Sequence, residues 1–257
     1  MLQRAAADPE EPWLFRAEGW DWVWHPWREL AGWLERWREA LSPLPAGSRA
    51  AFRYDASPES VILDLALQAA GLVSVPNGER EDSYRIERRG LEIETSPPGS
   101  SRETGNDAGA VVRIGGEAVT WTTAEIVAAG ERLQGEIGEA GTREIAVLGG
   151  PLEDPLERAM MAWATLSGAA VVLEPDPALR AATAAWVRPT VFHGTPGEIA
   201  DLRARVGKRR KGRLPFRRLR TVLVSGEISE EEAGFWRERG VALLRSLSPR
   251  SGEGARG

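Results

Sequence analysis

Apolar and polar positions along this chain follow the same order twice. From Gly47, GSRAAFRYDASPESVILDLALQAAGLVSVP gives an apolar run, a turn, a long amphipathic stretch, Gly71 and a second apolar run. From Gly141, GTREIAVLGGPLEDPLERAMMAWATLSGAAVVLEP repeats that order, with Gly168 in the place of Gly71. Similar lead-ins precede the two copies, FRAEGWDWVWHPWREL before the first and VRIGGEAVTWTTAEI before the second. The pattern predicts two β-α-β units, each introduced by a hairpin and a helix, with right-handed crossovers.

Local signals place the elements. Trp20, Trp22 and Trp24 alternate with Asp21 and Val23, the period of a strand. Pro26 suits a first helical turn, and Trp27, Leu30, Leu34, Trp37 and Leu41 recur at helical spacing. Seven of the eleven tryptophans lie between Trp13 and Trp37; a stripe so spaced reads as core, with an aromatic ligand cleft as the alternative. Ser57-Pro58 caps a helix carrying Val61, Leu65 and Ala69 on one face. Thr122-x-x-Glu125, Thr195-x-x-Glu198 and Ser229-x-x-Glu232 read as capping boxes, and Asp154-Pro155-x-Glu157 as a close variant. Strands at 145–148, 169–173, 190–192 and 221–224 separate these helices. The expected fold class is therefore α/β, two similar halves whose mostly parallel sheets are covered by helices. The expected division is a first half over 1–106, a second over 107–246 and a disordered tail over 247–257. Residues 78–106 include a short hairpin about Arg89-Gly90 and a Ser/Pro/Gly-rich linker.

Composition removes several functions. The chain has no cysteine, which excludes disulfides and thiolate chemistry. Its two histidines, His25 and His193, lie far apart in sequence, so no metal site is expected. A net charge of −5 argues against general nucleic-acid binding. No apolar run approaches the roughly 18 residues of a membrane span, and MLQRAAADPEEP lacks a signal core. The expectation is a cytoplasmic protein. In parallel sheets, ligands sit at the carboxyl ends of strands, which selects the loops at 149–154, 192–196 and 225–228.

Four segments, in order, resemble the adenylate-forming enzymes of the acyl-CoA synthetase type. They are SPESVILDLALQAAGLVSVP from Ser57, PLEDPLERAMMAWATLSGAAVVLEPD from Pro151, WVRPTVFHGTPGEIADLRARV from Trp186 and LRTVLVSGEISEEEAGFWRERGVALL from Leu219. The likeness runs from about Trp13 to Leu244, apart from 78–106, and covers the N-terminal part of the family's large domain. It implies a domain that binds an acid and ATP, forms an acyl-adenylate with release of pyrophosphate, and passes the acyl group to coenzyme A. The family needs a Gly/Ser/Thr loop with a lysine for phosphate, a glutamate for Mg²⁺, a ribose aspartate and a lysine-bearing C-terminal domain. Directly before Val119-Thr120-Trp121, where the phosphate loop is expected, this chain has Arg113-Ile114-Gly115-Gly116. A second candidate phosphate loop comprises Thr95, Ser96, Gly99, Ser100 and Ser101, stiffened by Pro97 and Pro98. After Leu243-Leu244 the chain reads RSLSPR, with neither the tyrosine nor the glutamate of the magnesium segment. Only Lys208 and Lys211 could serve as lysines.

Two loops match better. Ser225, Gly226 and Glu227 align with the segment that packs on adenine, or else form a strand-to-helix turn. Phe192, His193, Gly194 and Thr195 align with a loop lining the acyl and nucleotide pocket, with a structural role for His193 as the alternative. Asp154 matches a pocket position and also reads as a helix cap. Ten basic residues and no acidic one lie between Arg203 and Arg220; the default is a solvated loop, with anionic lipid, coenzyme A phosphates or RNA as alternatives. The resemblance implies a degenerate or truncated relative, a pseudoenzyme without full adenylation activity alone. It names no catalytic residue and requires no cofactor, with ATP, AMP or CoA as ligands if binding is retained. An acyl or nucleotide ligand, or a protein partner supplying missing elements, is implied. The other readings are an active acid–CoA ligase completed by a partner chain, and an unrelated α/β binding or scaffold protein.

Overall fold

The computed structural model describes residues 6–18, 21–77, 83–99, 107–114, 116–137, 144–207 and 218–244. The tail from 247, both lysines, Ser100 and Ser101 lie outside the described residues. Strands β1 (Pro12–Glu18) and β2 (Asp21–Pro26) form the first hairpin. Helix α1 (Trp27–Leu41) follows and buries the predicted stripe of Trp27, Leu30, Leu34, Trp37 and Leu41. Trp13 stacks on Trp27 with ring centroids 4.3 Å apart, anchoring the hairpin to its helix.

The first β-α-β unit is β3 (Arg49–Phe52), α2 (Pro58–Ala69) and β4 (Val73–Pro76). Ser57 and Ser60 close a reciprocal capping box at the start of α2. A hairpin of β5 (Tyr84–Arg89) and β6 (Glu92–Ser96) follows, turning at Arg89-Gly90 as expected. Next come the hairpin β7 (Gly109–Ile114) and β8 (Glu117–Thr122), then α3 (Thr123–Ile137). The second unit is β9 (Ile145–Leu148), α4 (Pro155–Ser167) and β10 (Ala170–Leu173). The chain continues through α5 (Pro177–Val187), β11 (Val191–Gly194), α6 (Pro196–Gly207), β12 (Thr221–Val224), α7 (Glu230–Arg237) and β13 (Ala242–Leu244).

Two sheets result, in the order β6-β5-β3-β4-β7-β8 and β13-β12-β11-β9-β10-β1-β2. Among the described residues only the edge strands β6, β8 and β2 run antiparallel to their neighbours. The lead-in hairpins are exchanged between units. β1 pairs parallel with β10 of the second unit, Leu14 opposite Val171. β7 pairs parallel with β4 of the first, Ser74 opposite Ala110. Each hairpin thus extends the sheet of the other β-α-β unit.

Helices α2 and α4 contact both sheets, α2 through β4 and β1, α4 through β7, β9 and β10. They lie between the sheets in one continuous core that includes Ala50, Phe52, Ala110 and Val112 from one side and Ala146, Leu148, Val171 and Leu223 from the other. Helices α5, α6 and α7 cover the far face of the seven-stranded sheet over Val147, Val172, Phe192, Val222 and Val224. Alternation along each strand sends successive residues to these two layers.

One charged pair crosses the central layer. The Arg158 guanidinium on α4 donates to Asp64 on α2, both 2% exposed. Asp64 also accepts from Ser74 Oγ and, at 2.8 Å, from Gln68 Nε2, while Arg158 Nε donates to the Leu152 carbonyl at 3.1 Å. A buried carboxylate losing its partner keeps its desolvation cost without compensation. Arg158→Met is therefore expected to lower the unfolding free energy by about 3–5 kcal/mol in urea titration. The double variant Asp64→Leu/Arg158→Met is expected to be more stable than Arg158→Met alone; a further loss of stability would contradict this reading.

Candidate functional site

The carboxyl ends of β9, β11 and β12 converge on the first turn of α4. Asp154 is the N-cap: its Oδ1 accepts from the Leu156 and Glu157 amides at 2.7 and 3.3 Å. Glu157, fully buried, sits three residues later, where a capping box would turn its carboxylate back on the cap. Its side chain goes elsewhere. Oε1 accepts from the Gly149 and Gly150 amides at 2.7 and 2.8 Å, and Oε2 contacts His193 Nδ1. His193 lies in β11 and is 3% exposed. Its Nε2 lies 2.7 Å from Ser225 Oγ, and Ser225 donates to Asp154 Oδ2 at 2.7 Å.

Glycine is required at the β9 end. A Cβ on Gly149 would lie 1.8 Å from the Glu174 carbonyl oxygen, a contact no side chain tolerates. Replacing Gly149 by Ala is expected to destabilise by about 1–3 kcal/mol or more, through forced movement of β9 or β10. Around this closure, Arg180 forms a buried ion pair with Glu198 at 2.7 Å, and its Nε donates to the Glu174 carbonyl at 3.2 Å. Thr183 donates to Glu174 Oε2 at 2.8 Å.

The connection Ser225–His193–Glu157 has the order of a nucleophile, base and orienting acid. Charge and hydrogen-bond partners argue against that chemistry. Burial favours the neutral ring, but Glu157, by charge and hydrogen bond, and Asp154, by charge, outweigh it. The His193 pKa therefore lies above its ordinary 6.5. The hydrogen-bond partners agree with that direction: Glu157 and Asp154 accept when ionised, so Ser225 sends its proton to Asp154 and the arrangement is satisfied when His193 donates from both nitrogens. In that protonated state the ring holds no lone pair to activate the serine. The network fixes three strand ends to one helix terminus.

The predicted residues divide between two places. His193 and Ser225 meet directly, and Gly226 and Glu227 follow on the exposed turn, Gly226 at φ 134°. Phe192 is fully buried among the outer-layer apolar residues. Gly194 ends β11, where a Cβ would lie 2.9 Å from the Phe192 ring. Thr195 forms the expected capping box with Glu198, its amide and hydroxyl donating to Oε2 at 2.7 and 2.8 Å. Thr95 and Ser96 lie exposed on β6, the edge of the other sheet, with Gly99 just beyond. At the alternative phosphate position Ile114 of β7 pairs with Glu117 of β8, and Gly115 lies outside the described residues.

Sequence reasoning missed Glu157 as a site residue because its spacing from Asp154 imitates a cap. The signal that identifies it is the pair Glu157-Arg158 inside the apolar run PLERAMMAWA, charges with no solvent-facing neighbours to share.

No family model and no curated protein matches the sequence. Solved structures do match its fold. The chain has the α/β fold of the N-terminal large-domain portion of adenylate-forming enzymes. IdnL1 superposes with a TM-score of 0.69 at 18% identity, over 94% of this chain and 58% of that one. O-succinylbenzoate CoA synthetase (MenE) from Bacillus subtilis, in complex with ATP and magnesium ion, gives 0.72 at 15%, over 94% and 57%. The inhibitor-bound N-terminal domain of FACL13 from Mycobacterium tuberculosis gives 0.71 at 14%, over 94% and 73%. The chain thus spans a little over half the length of IdnL1 and MenE, and the likeness is one of fold.

The raised His193 pKa makes stability depend on pH. A group bound more tightly to its proton in the folded state stabilises fully below its unfolded pKa, and that contribution is lost as pH rises through the folded value. Unfolding free energy is expected to fall as pH rises from 6.5 towards the higher folded-state pKa. In His193→Gln that decline disappears; an unchanged slope would show that another group titrates.

Proposed function

We propose that this chain is an acyl-CoA-synthetase-like domain of the AMP-binding type, a degenerate relative that does not complete adenylation alone. It keeps a site for an acyl group or an adenine nucleotide at the carboxyl ends of β11 and β12. The observation that carries this reading is the convergence on Ser225. Two loops chosen independently by sequence, Phe192–Thr195 and Ser225–Glu227, are joined there by the His193–Ser225 hydrogen bond. Gly226 leaves the adjoining backbone open to close approach. Fold neighbours support the choice of ligand: MenE has been solved with AMP and with ATP and magnesium ion.

Weak catalysis follows from what surrounds that site. The β7–β8 turn carries glycines where a phosphate loop would need hydroxyls and a cation. Phosphate chemistry rests on positioning and electrostatic stabilisation, so pyrophosphate release from ATP and an acid is expected at the level of a no-enzyme blank. Among the described residues no helix is long and apolar enough to cross a membrane, and a protein partner that supplies the missing elements belongs to this reading.

Thermal unfolding with AMP, ATP, coenzyme A and a panel of carboxylic acids tests the reading. A ligand at 100 times its dissociation constant stabilises by about 2.7 kcal/mol, a shift of several degrees. AMP or an acyl acid is expected to give that shift, and Gly226→Val, which places a branched side chain at positive φ against Pro196, to abolish it. No shift with any ligand would overturn the binding site. Pyrophosphate release well above the blank would overturn the loss of activity.

A further inference from the structure

The free edges of the two sheets are not equally protected. An exposed strand edge invites pairing with another chain, and charges along it or a short length usually prevent this. β6 carries Glu92 and Glu94, and β13 has three residues. β8 exposes Val119 but buries its tryptophan, Trp121. β2 differs from all three. It ends the seven-stranded sheet, paired with β1 on one side and with no strand on the other among the described residues. Trp22 and Trp24 stand on one face of it, 38% and 49% exposed. Trp24 lies opposite Phe15, which packs against the outer apolar layer.

From Asp21 to His25 this edge reads DWVWH, a sequence complementary to itself when reversed. Two copies paired antiparallel about Val23 set Trp22 of each opposite Trp24 of the other, all four on the same face. Val23 meets its own copy. Asp21 of each chain meets His25 of the other, a carboxylate facing an imidazole N–H. His25 is held from behind, its ring 5.2 Å from that of Trp33 and its Nδ1 3.4 Å from Glu29 Oε1. Neighbouring registers lose the match. Centred on Trp22, Asp21 would face Val23; centred on Trp24, Trp22 would face Pro26, which has no N–H to give.

We infer that β2 is a dimerisation edge, at which a second copy of this chain adds its own β2 across a two-fold axis through Val23. The two seven-stranded sheets then become one. An isologous contact requires a patch that fits itself, and this edge does so in three respects: free main-chain groups, aromatic pairs, and Asp21 against His25. Five residues a side make a small interface, so the dimer is weak, with a Kd on the order of 10–100 µM.

Sedimentation velocity of the full chain between about 2 and about 500 µM tests the inference. The wild type is expected to pass from monomer to dimer across that range. Trp22→Lys puts a charge on the exposed edge and is expected to stay monomeric throughout, with thermal unfolding confirming that it is folded. The chain has no cysteine, so single thiols report the register. Val23→Cys is expected to give a disulfide-linked dimer on mild oxidation, because its two copies face each other across the axis. Asp21→Cys is expected not to, because its copies stand about 14 Å apart along the strands, beyond the reach of a disulfide. A wild type that remains monomeric at the highest concentration would overturn the dimer. Dimerisation of Trp22→Lys at the wild-type concentration would overturn the choice of edge. Cross-linking of Asp21→Cys without that of Val23→Cys would overturn the register.

Discussion

Two adjacent residues at the start of α4, Glu157 and Arg158, are both buried, and the rest of the molecule is arranged around satisfying them. Neighbouring positions on a helix point about 100° apart, so their charges face different parts of the protein. Arg158 turns to α2 and meets Asp64, tying one β-α-β unit to the other across 94 residues of sequence. Glu157 turns to the strand ends and takes two glycine amides and His193. Desolvating such charges costs several kcal/mol each unless partners are positioned in advance. The helix that fills the core therefore also dictates where β9, β11 and β12 must end.

The doubled architecture gives this hub its setting. Each hairpin extends the sheet of the opposite unit, so neither unit completes its sheet without the other. The Asp64–Arg158 pair breaks the repeat. Asp64 lies six residues after Pro58, whereas Arg158 lies three after Pro155, so the link is made by non-equivalent positions. Tyr54 sits at the same junction, its hydroxyl held far above its ordinary pKa by burial and by the charges of Glu157 and Asp64. The interior between the halves is thus polar along one line and apolar elsewhere.

Much of the architecture was legible in the sequence because it rests on local rules. The tryptophan stripe of α1, the Ser57 and Thr195 caps, Gly168 at the end of α4 and the hairpin at Arg89-Gly90 follow from periodicity, capping chemistry and backbone freedom. The exchange of hairpins was not, because the partner of a strand edge is chosen by contacts far away in sequence. At the strand ends, His193 and Ser225 were found by resemblance, but their bond to each other was hidden. Glu157 was read as part of a cap, and Asp154 performs two tasks with its two oxygens, which spacing alone does not reveal. Thr95 and Ser96 looked suited to phosphate by composition; their place on an exposed edge strand is a property of the sheet order.

Electrostatics separates two descriptions of the same four residues. A Ser–His–Glu line with a neutral imidazole would be a primed nucleophile, whereas an imidazolium makes it a fixed brace beneath a binding loop. The ¹⁵N chemical shifts of the His193 ring at pH 7 distinguish them directly. The account predicts two protonated nitrogens, with both N–H protons in hydrogen bonds. An unprotonated Nε2 accepting the Ser225 hydroxyl would contradict it, and would turn the search towards acyl transfer at Ser225.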